Sequence, residues 1–192
     1  MSRPPRLSVP QEGVRAGDLV LRLPAIDDVD ALLPAFRDPE SRDAGNLPAF
    51  DREQLAASIA DLPSLAESGR LLPLAAVDAG TGEVVGAGML HHLDADRRIV
   101  EIGYFVLPHA RGRGVATTIA GALAEHAFSL GVERVAAYVN VGNSASERVV
   151  ERAGFTREGV VRSMPKPDGQ RVDKTLFSLL PGEVSAVSAR GT

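Results

Sequence analysis

The chain has 192 residues, 44% apolar and 24% charged, a composition suited to one globular domain that buries most of its apolar surface around a single core. It contains no cysteine, which excludes disulfides, thiolate nucleophiles and cysteine-held metals. A net charge of −4, from 25 acids against 21 bases, argues against nucleic-acid binding, which draws on excess positive charge.

Residues 1–17 read as a flexible arm. They hold no apolar run of signal-peptide length, and no later stretch is long enough to span a membrane, so a soluble cytoplasmic protein is expected. Residues 18–23 alternate as a first strand closed by Pro24. Ile26, Val29, Leu32, Leu33 and Phe36 fall at helical spacing, with Pro34 as a kink or stop. Residues 38–50, with Pro39, Gly45 and Pro48, read as a loop or broken helix. A second helix is expected over 52–68, capped by Asp51 and interrupted at Pro63.

Strands over 71–77 and 83–90 flank a turn at 78–82 and make a hairpin. Residues 91–98 are a polar turn, and 99–107 form the most apolar strand. A long helix over 114–130 ends at Gly131. A strand (134–139), a short helix (144–152) and a strand pair (155–162 and 171–180) complete residues 18–181, leaving 182–192 as a flexible tail. The order predicts a mixed α/β fold, with a mostly antiparallel sheet of seven strands and about four helices.

The stretch that carries chemistry is Arg111-Gly112-Arg113-Gly114-Val115-Ala116, a basic glycine-rich turn between a buried strand and a helix. The first amides of a helix lack internal partners and sit at the positive end of its dipole, so a phosphate or diphosphate fits there. Gly112 and Gly114 allow close backbone approach, and Arg111 and Arg113 add charge. A dinucleotide fingerprint fails because Thr117 stands where the third glycine belongs, and a P-loop fails for want of lysine. A tight turn without a ligand, or one that binds NAD or ATP, are the alternatives.

Arg111-x-x-Gly114-x-Ala116 resembles the Q/R-x-x-G-x-G/A signature of GNAT acetyltransferases. Glu101-Ile102-Gly103-Tyr104 upstream, and Asn143-Ser144-Ala145-Ser146, Glu151-Arg152-Ala153-Gly154-Phe155 and the run 155–162 downstream, are similar to the RimJ/RimL-like branch, which acetylates amines. The resemblance spans about residues 18–181. It implies acetyl-CoA as cosubstrate and an amine acceptor (a small molecule or a protein N-terminus), with a homodimer possible at family level. A non-catalytic CoA-binding module is the alternative.

The family pattern further implies a bulged fourth strand that splays from the fifth, between 99–107 and 134–139. Pantetheine would lie in that gap along the main chain of Phe105, Val106 and Leu107, with the Phe105 amide as oxyanion donor, and the diphosphate on residues 111–116. Glu101 is the implied base; its bland alternative is a solvent face or an arginine partner. The tyrosine common in the short helix is replaced by Val150. Ser146 then matches the donor to the leaving thiolate, with Tyr138 as substitute or core residue. Asn143 bonds pantetheine, caps the helix, or both. His109 reads as an exposed loop residue. His91 and His92 read as an exposed turn or as part of the acceptor pocket. No histidine shares metal-ligand spacing with a carboxylate, so no metal is expected. The acceptor would be chosen by residues 37–50, 91–98 and 163–170.

Overall fold

The computed structural model describes residues 4–62, 65, 68, 69 and 71–184. Eight strands form one sheet: β1 Val14–Ala16, β2 Leu19–Arg22, β3 Leu72–Asp78, β4 Val84–Asp94, β5 Ile99–Val106, β6 Arg134–Asn140, β7 Thr156–Pro165 and β8 Arg171–Leu179. Their order is β1-β2-β3-β4-β5-β6-β8-β7. The main helices are α1 Val29–Arg37, α2 Pro39–Gly45, α3 Arg52–Ala60, α4 Val115–Ser129 and α5 Ser144–Arg152. The expected α/β class holds, with one more strand than predicted. Part of the helix expected over 52–68 lies outside the described residues. None of the helices among the described residues is long and apolar enough to cross a membrane.

The extra strand, β1, comes from the segment read as an arm. It pairs with β2 through Val14–Leu21 and Ala16–Leu19. Further upstream, Leu7 is only 1% exposed within the main core. Its amide donates to the Gly69 carbonyl at 2.8 Å, and the neighbouring Ser8 carbonyl lies 2.6 Å from His126 Nε2 on α4. The arm reading is corrected for these residues: prolines and arginines around a single leucine conceal one well-seated anchor.

Helix α2 decides between the two readings of residues 38–50, a loop or a broken helix, in favour of a short helix. Pro39 was taken as a breaker, but at the first helical position its missing N–H costs nothing. Asp38 caps the helix, accepting from the Ser41 amide at 2.8 Å and the Ser41 hydroxyl at 2.7 Å.

All strand pairs are antiparallel except β5 with β6, whose connection runs through α4. One face of the sheet packs on α4 and α5 around Ile119, Leu123 and Phe177; the other packs on α1 and α3 around Leu32, Leu55 and Ala75. Gly88 matters here. A Cβ at that position would stand 2.7 Å from Ile119 and Leu123, so its absence lets α4 lie directly on β4. That close seat fixes where the N-terminus of α4 emerges.

Leu7→Ala is expected to cost about 2–4 kcal/mol in urea unfolding, because it leaves a cavity in a fully packed site. A loss within about 0.5 kcal/mol, typical of a surface position, would mean the N-terminal segment is not part of the folded core.

Candidate active site

The sheet opens at one point. β5 and β6 pair from Ile99–Arg134 to Ile102–Ala137 and no further, although β5 continues to Val106 and β6 to Asn140. Each keeps its outer neighbour, β4 and β8 respectively. The expected splay is therefore present, while the expected bulge is not: β4 and β5 stay in register from Gly86–Val106 to His91–Glu101, and the irregularity falls at His91–Asp94 instead.

Alternation along β5 decides which amides face the gap. The Leu107 amide donates to Val85 of the β4 side at 3.0 Å, and a Cβ on Gly86 would stand 2.5 Å from the Phe105 carbonyl. Odd-numbered residues therefore bond toward β4. The Arg98 carbonyl accepts from Glu133 and Arg134, so even-numbered residues bond toward β6. The amides of Tyr104 and Val106 face the gap. Phe105 and Leu107 as main-chain partners are thus corrected by one residue of register; the Leu107 carbonyl is also engaged, by the Ala110 amide at 2.9 Å.

At the mouth of the gap, α4 begins. Gly114 is its N-cap, with φ 79° and no side-chain cap, and Gly112 has φ 74°. A Cβ on either would meet nothing within 4 Å, so the left-handed backbone rather than crowding within the protein requires glycine. The first intrahelical bond is Thr118 to Gly114 at 3.1 Å, which leaves the amides of Val115, Ala116 and Thr117 without helical acceptors. Arg113 is exposed beside this turn. Arg111 is not aimed there: its Nη2 donates to the Ser41 hydroxyl at 2.9 Å and its Nε to the Val106 carbonyl at 3.3 Å. It clamps α2 to the turn through Ser41, whose hydroxyl in turn donates to the capping Asp38.

Inside the gap lies a cavity of about 420 Å³. Its apolar side includes Phe36, Leu47, Phe50 and Phe105. Phe36 stacks on Phe50 at 5.6 Å and meets Phe105 edge-on at 5.8 Å. Glu101, Tyr138, Ser146 and Lys174 also line it.

Glu101 pairs directly across the sheet with His91. Its side chain is 24% exposed and its partners are imidazoles, neither an arginine nor open solvent: His92 Nδ1 lies 3.1 Å from the carboxylate and His91 Nδ1 4.0 Å. Both histidines line the cavity and stand on β4 rather than in a turn; His91 is half-buried, while His92 is exposed. In a regular strand adjacent side chains take opposite faces. Here the irregular register and the left-handed φ of 51° at His92 break that alternation, and the two Nδ1 atoms lie 3.1 Å apart. Burial, followed by the charges of His92 and Lys174, lowers the His91 pKa to about 4, so its ring is neutral at neutral pH. The three ligand atoms of His91, His92 and Glu101 lie within 4.8 Å of one another and could hold a metal ion. Linear spacing missed this group because strand pairing assembles it.

Asn143 caps α5, its Oδ1 accepting from the Ser146 amide at 3.0 Å. The Ser146 hydroxyl lies 2.8 Å from the hydroxyl of Tyr104. Burial pushes the Tyr104 pKa up to about 12, with the Ser146 contact opposing, so the phenol keeps its proton. Val150 is fully buried, and the phenol absent from that position is brought to the short helix from β5. Tyr104 has no assigned role in the linear motif Glu101-Ile102-Gly103-Tyr104; only the pairing of β5 beside α5 brings its hydroxyl to Ser146. Tyr138 lines the cavity, its pKa raised by burial and then by Glu101. His109 sits at the surface, 3.2 Å from Glu83.

Comparisons with known proteins place this geometry. The N-acetyltransferase p20 of Bacillus licheniformis is 29% identical over 167 residues, covering 86% of this chain and 94% of its own. Mycobacterium smegmatis RimJ, solved in complex with CoA-disulfide, superposes with a TM-score of 0.78 at 24% identity, over 93% of this chain and 92% of its own. The microcin C7 self-immunity acetyltransferase MccE, solved with acetyl-CoA and AMP, superposes with a TM-score of 0.79 at 21% identity, over 90% and 98%. The acetyltransferase (GNAT) domain matches residues 18–156, and the chain belongs to the GNAT acetyltransferase family.

Proposed function

We propose that this acetyltransferase moves the acetyl group of acetyl-CoA onto a primary amine by direct attack in a ternary complex. The observation that carries this reading is the unpaired stretch of β5 beside the uncapped start of α4. The α4 amides of Val115 to Thr117, with the turn at Gly112–Gly114, suit the diphosphate, and Arg113 adds positive charge. The pantetheine arm enters the gap as a partial strand on the open edge at Tyr104 and Val106. Acetyl-CoA complexes of structural neighbours support the cosubstrate.

Four chain groups then act. Glu101 takes a proton from the attacking ammonium, directly or through water, with His92 at 3.1 Å holding its carboxylate in place. The amine nitrogen bonds to the thioester carbon, and the carbonyl oxygen takes the negative charge. An amide on the open edge, at Tyr104 or Val106, donates to that oxygen. Collapse breaks the carbon–sulfur bond as the nitrogen gives up its second proton, and the departing thiolate takes a proton through the Ser146 hydroxyl, so the products are the amide and the CoA thiol. Tyr104, whose pKa of about 12 lies well above that of a thiol, positions and polarises Ser146 rather than surrendering its own proton.

Thiol release from acetyl-CoA with a panel of amines tests the activity; saturable acetyl-CoA binding without CoA release from any amine would overturn it. Glu101→Gln is expected to lower kcat by about 10²-fold while acetyl-CoA affinity stays unchanged. Ser146→Ala should lose about tenfold in kcat, and Tyr104→Phe should add little once Ser146 is gone, because the two act as one unit. The chain has two tyrosines and no tryptophan, so phenolate absorbance reads them directly. The later of the two steps is expected near pH 12 and should vanish in Tyr104→Phe.

A further inference from the structure

The cavity holds one charged group that the acetyl-transfer chemistry leaves unused. Lys174 is the fourth residue of β8, paired with Asn140 of β6 and alternating with Leu176 on the face that carries Tyr138. The residue is only 5% exposed and lines the cavity. Among the described residues its ammonium makes no hydrogen bond and no ion pair. Its neighbour Lys166, by contrast, is held by Asp43 and lies 3.9 Å from Asp168. The Asn140 side-chain amide is turned to the Asp43 carbonyl at 3.0 Å, so it does not serve Lys174 either. Burying an ammonium without a partner is costly, and a protein keeps such a group where a ligand completes it. Burial draws its pKa down, while the charge of Glu101 works the other way, which puts the two groups within electrostatic reach.

Taken together, the cavity offers a carboxylate at Glu101, a buried cation at Lys174, and walls of Phe36, Leu47, Phe50 and Phe105. A ligand that satisfies all three carries an ammonium, an anion close to it and an apolar body. We propose that the acceptor is a free α-amino acid with an apolar side chain, its carboxylate bound by Lys174 and its amine presented to Glu101. This rests on the acetyltransferase reading and narrows its substrate. A protein N-terminus or a simple amine brings no carboxylate, and its binding would leave the Lys174 charge buried and unanswered. Lys174 is on this view a specificity-determining residue rather than a catalytic one.

The test compares L-leucine and L-phenylalanine with their primary amides, with L-aspartate, and with a short leucine-initiated peptide, each with acetyl-CoA. The free apolar acids should exceed the amides and the peptide by about tenfold or more in kcat/KM, the worth of one charge-assisted bond. Lys174→Met should erase that preference by raising KM for the acids, with kcat and acetyl-CoA affinity little changed. Lys174→Arg should keep the preference, and circular dichroism of both variants guards against misfolding. Amides or the peptide matching the free acids would overturn the proposal and leave the acetyltransferase standing; so would L-aspartate matching the apolar acids. A Lys174→Met variant that loses acetyl-CoA affinity instead would assign the lysine to the cosubstrate and equally overturn it. Bound acetyl-CoA with no turnover of any amine would remove the enzyme reading and this proposal together.

Discussion

Everything at the site follows from the place where β5 and β6 stop bonding to each other. Up to Ile102 and Ala137 the sheet is closed; beyond them both strands continue, each held only by its outer neighbour. An unpaired strand edge inside a folded domain leaves main-chain donors and acceptors that must find partners. Because β5 bonds to β4 through odd residues, the open amides are those of Tyr104 and Val106. The glycine at 88 brings α4 down onto β4, which sets the uncapped end of that helix at the mouth of the same gap. A ligand with a peptide-like arm and a diphosphate end matches both halves of that surface, and neither half alone specifies it.

The groups around the gap divide by charge and proton. Glu101, 24% exposed, is flanked by a neutral, half-buried His91 and an exposed His92. Across the opening, Tyr104 and Ser146 form a neutral hydroxyl pair against the α5 cap. The aromatic cluster of Phe36, Phe50 and Phe105 forms an apolar wall of the same cavity. Lys174 on β8 stands apart, a nearly buried cation whose ammonium has no hydrogen-bond or ion-pair partner among the described residues, with Glu101 within electrostatic reach.

What the sequence made legible was what depends on neighbours along the chain. The turn at Gly112 and Gly114, the long helix behind it, the Asn143 cap and seven of the eight strands rest on local spacing and backbone preference, and the structure has them. What it hid depends on register. The cluster of His91, His92 and Glu101 exists because residues 91 and 101 pair across a hairpin and an irregularity turns residue 92 to the same side. The amide at Phe105 was one residue off because strand parity is invisible without the partner strand. Arg111 read as a phosphate ligand from its place in the turn, yet its guanidinium is taken by Ser41, seventy residues earlier in the chain. Compositional punctuation hides the Leu7 anchor and leaves helix α2 as one of two readings: Pro39 and the N-terminal prolines look like breakers, and only tertiary placement shows what they flank.

Amide hydrogen exchange with and without acetyl-CoA tests the open edge most directly. Protection on binding should be concentrated at Tyr104 and Val106 and at Val115 to Thr117, with the amides of Gly103 and Phe105, already bonded to β4, little changed. Protection that falls on the odd residues of β5, or that leaves both the gap and the start of α4 untouched, would contradict the splayed pair of strands as the slot for the acyl carrier.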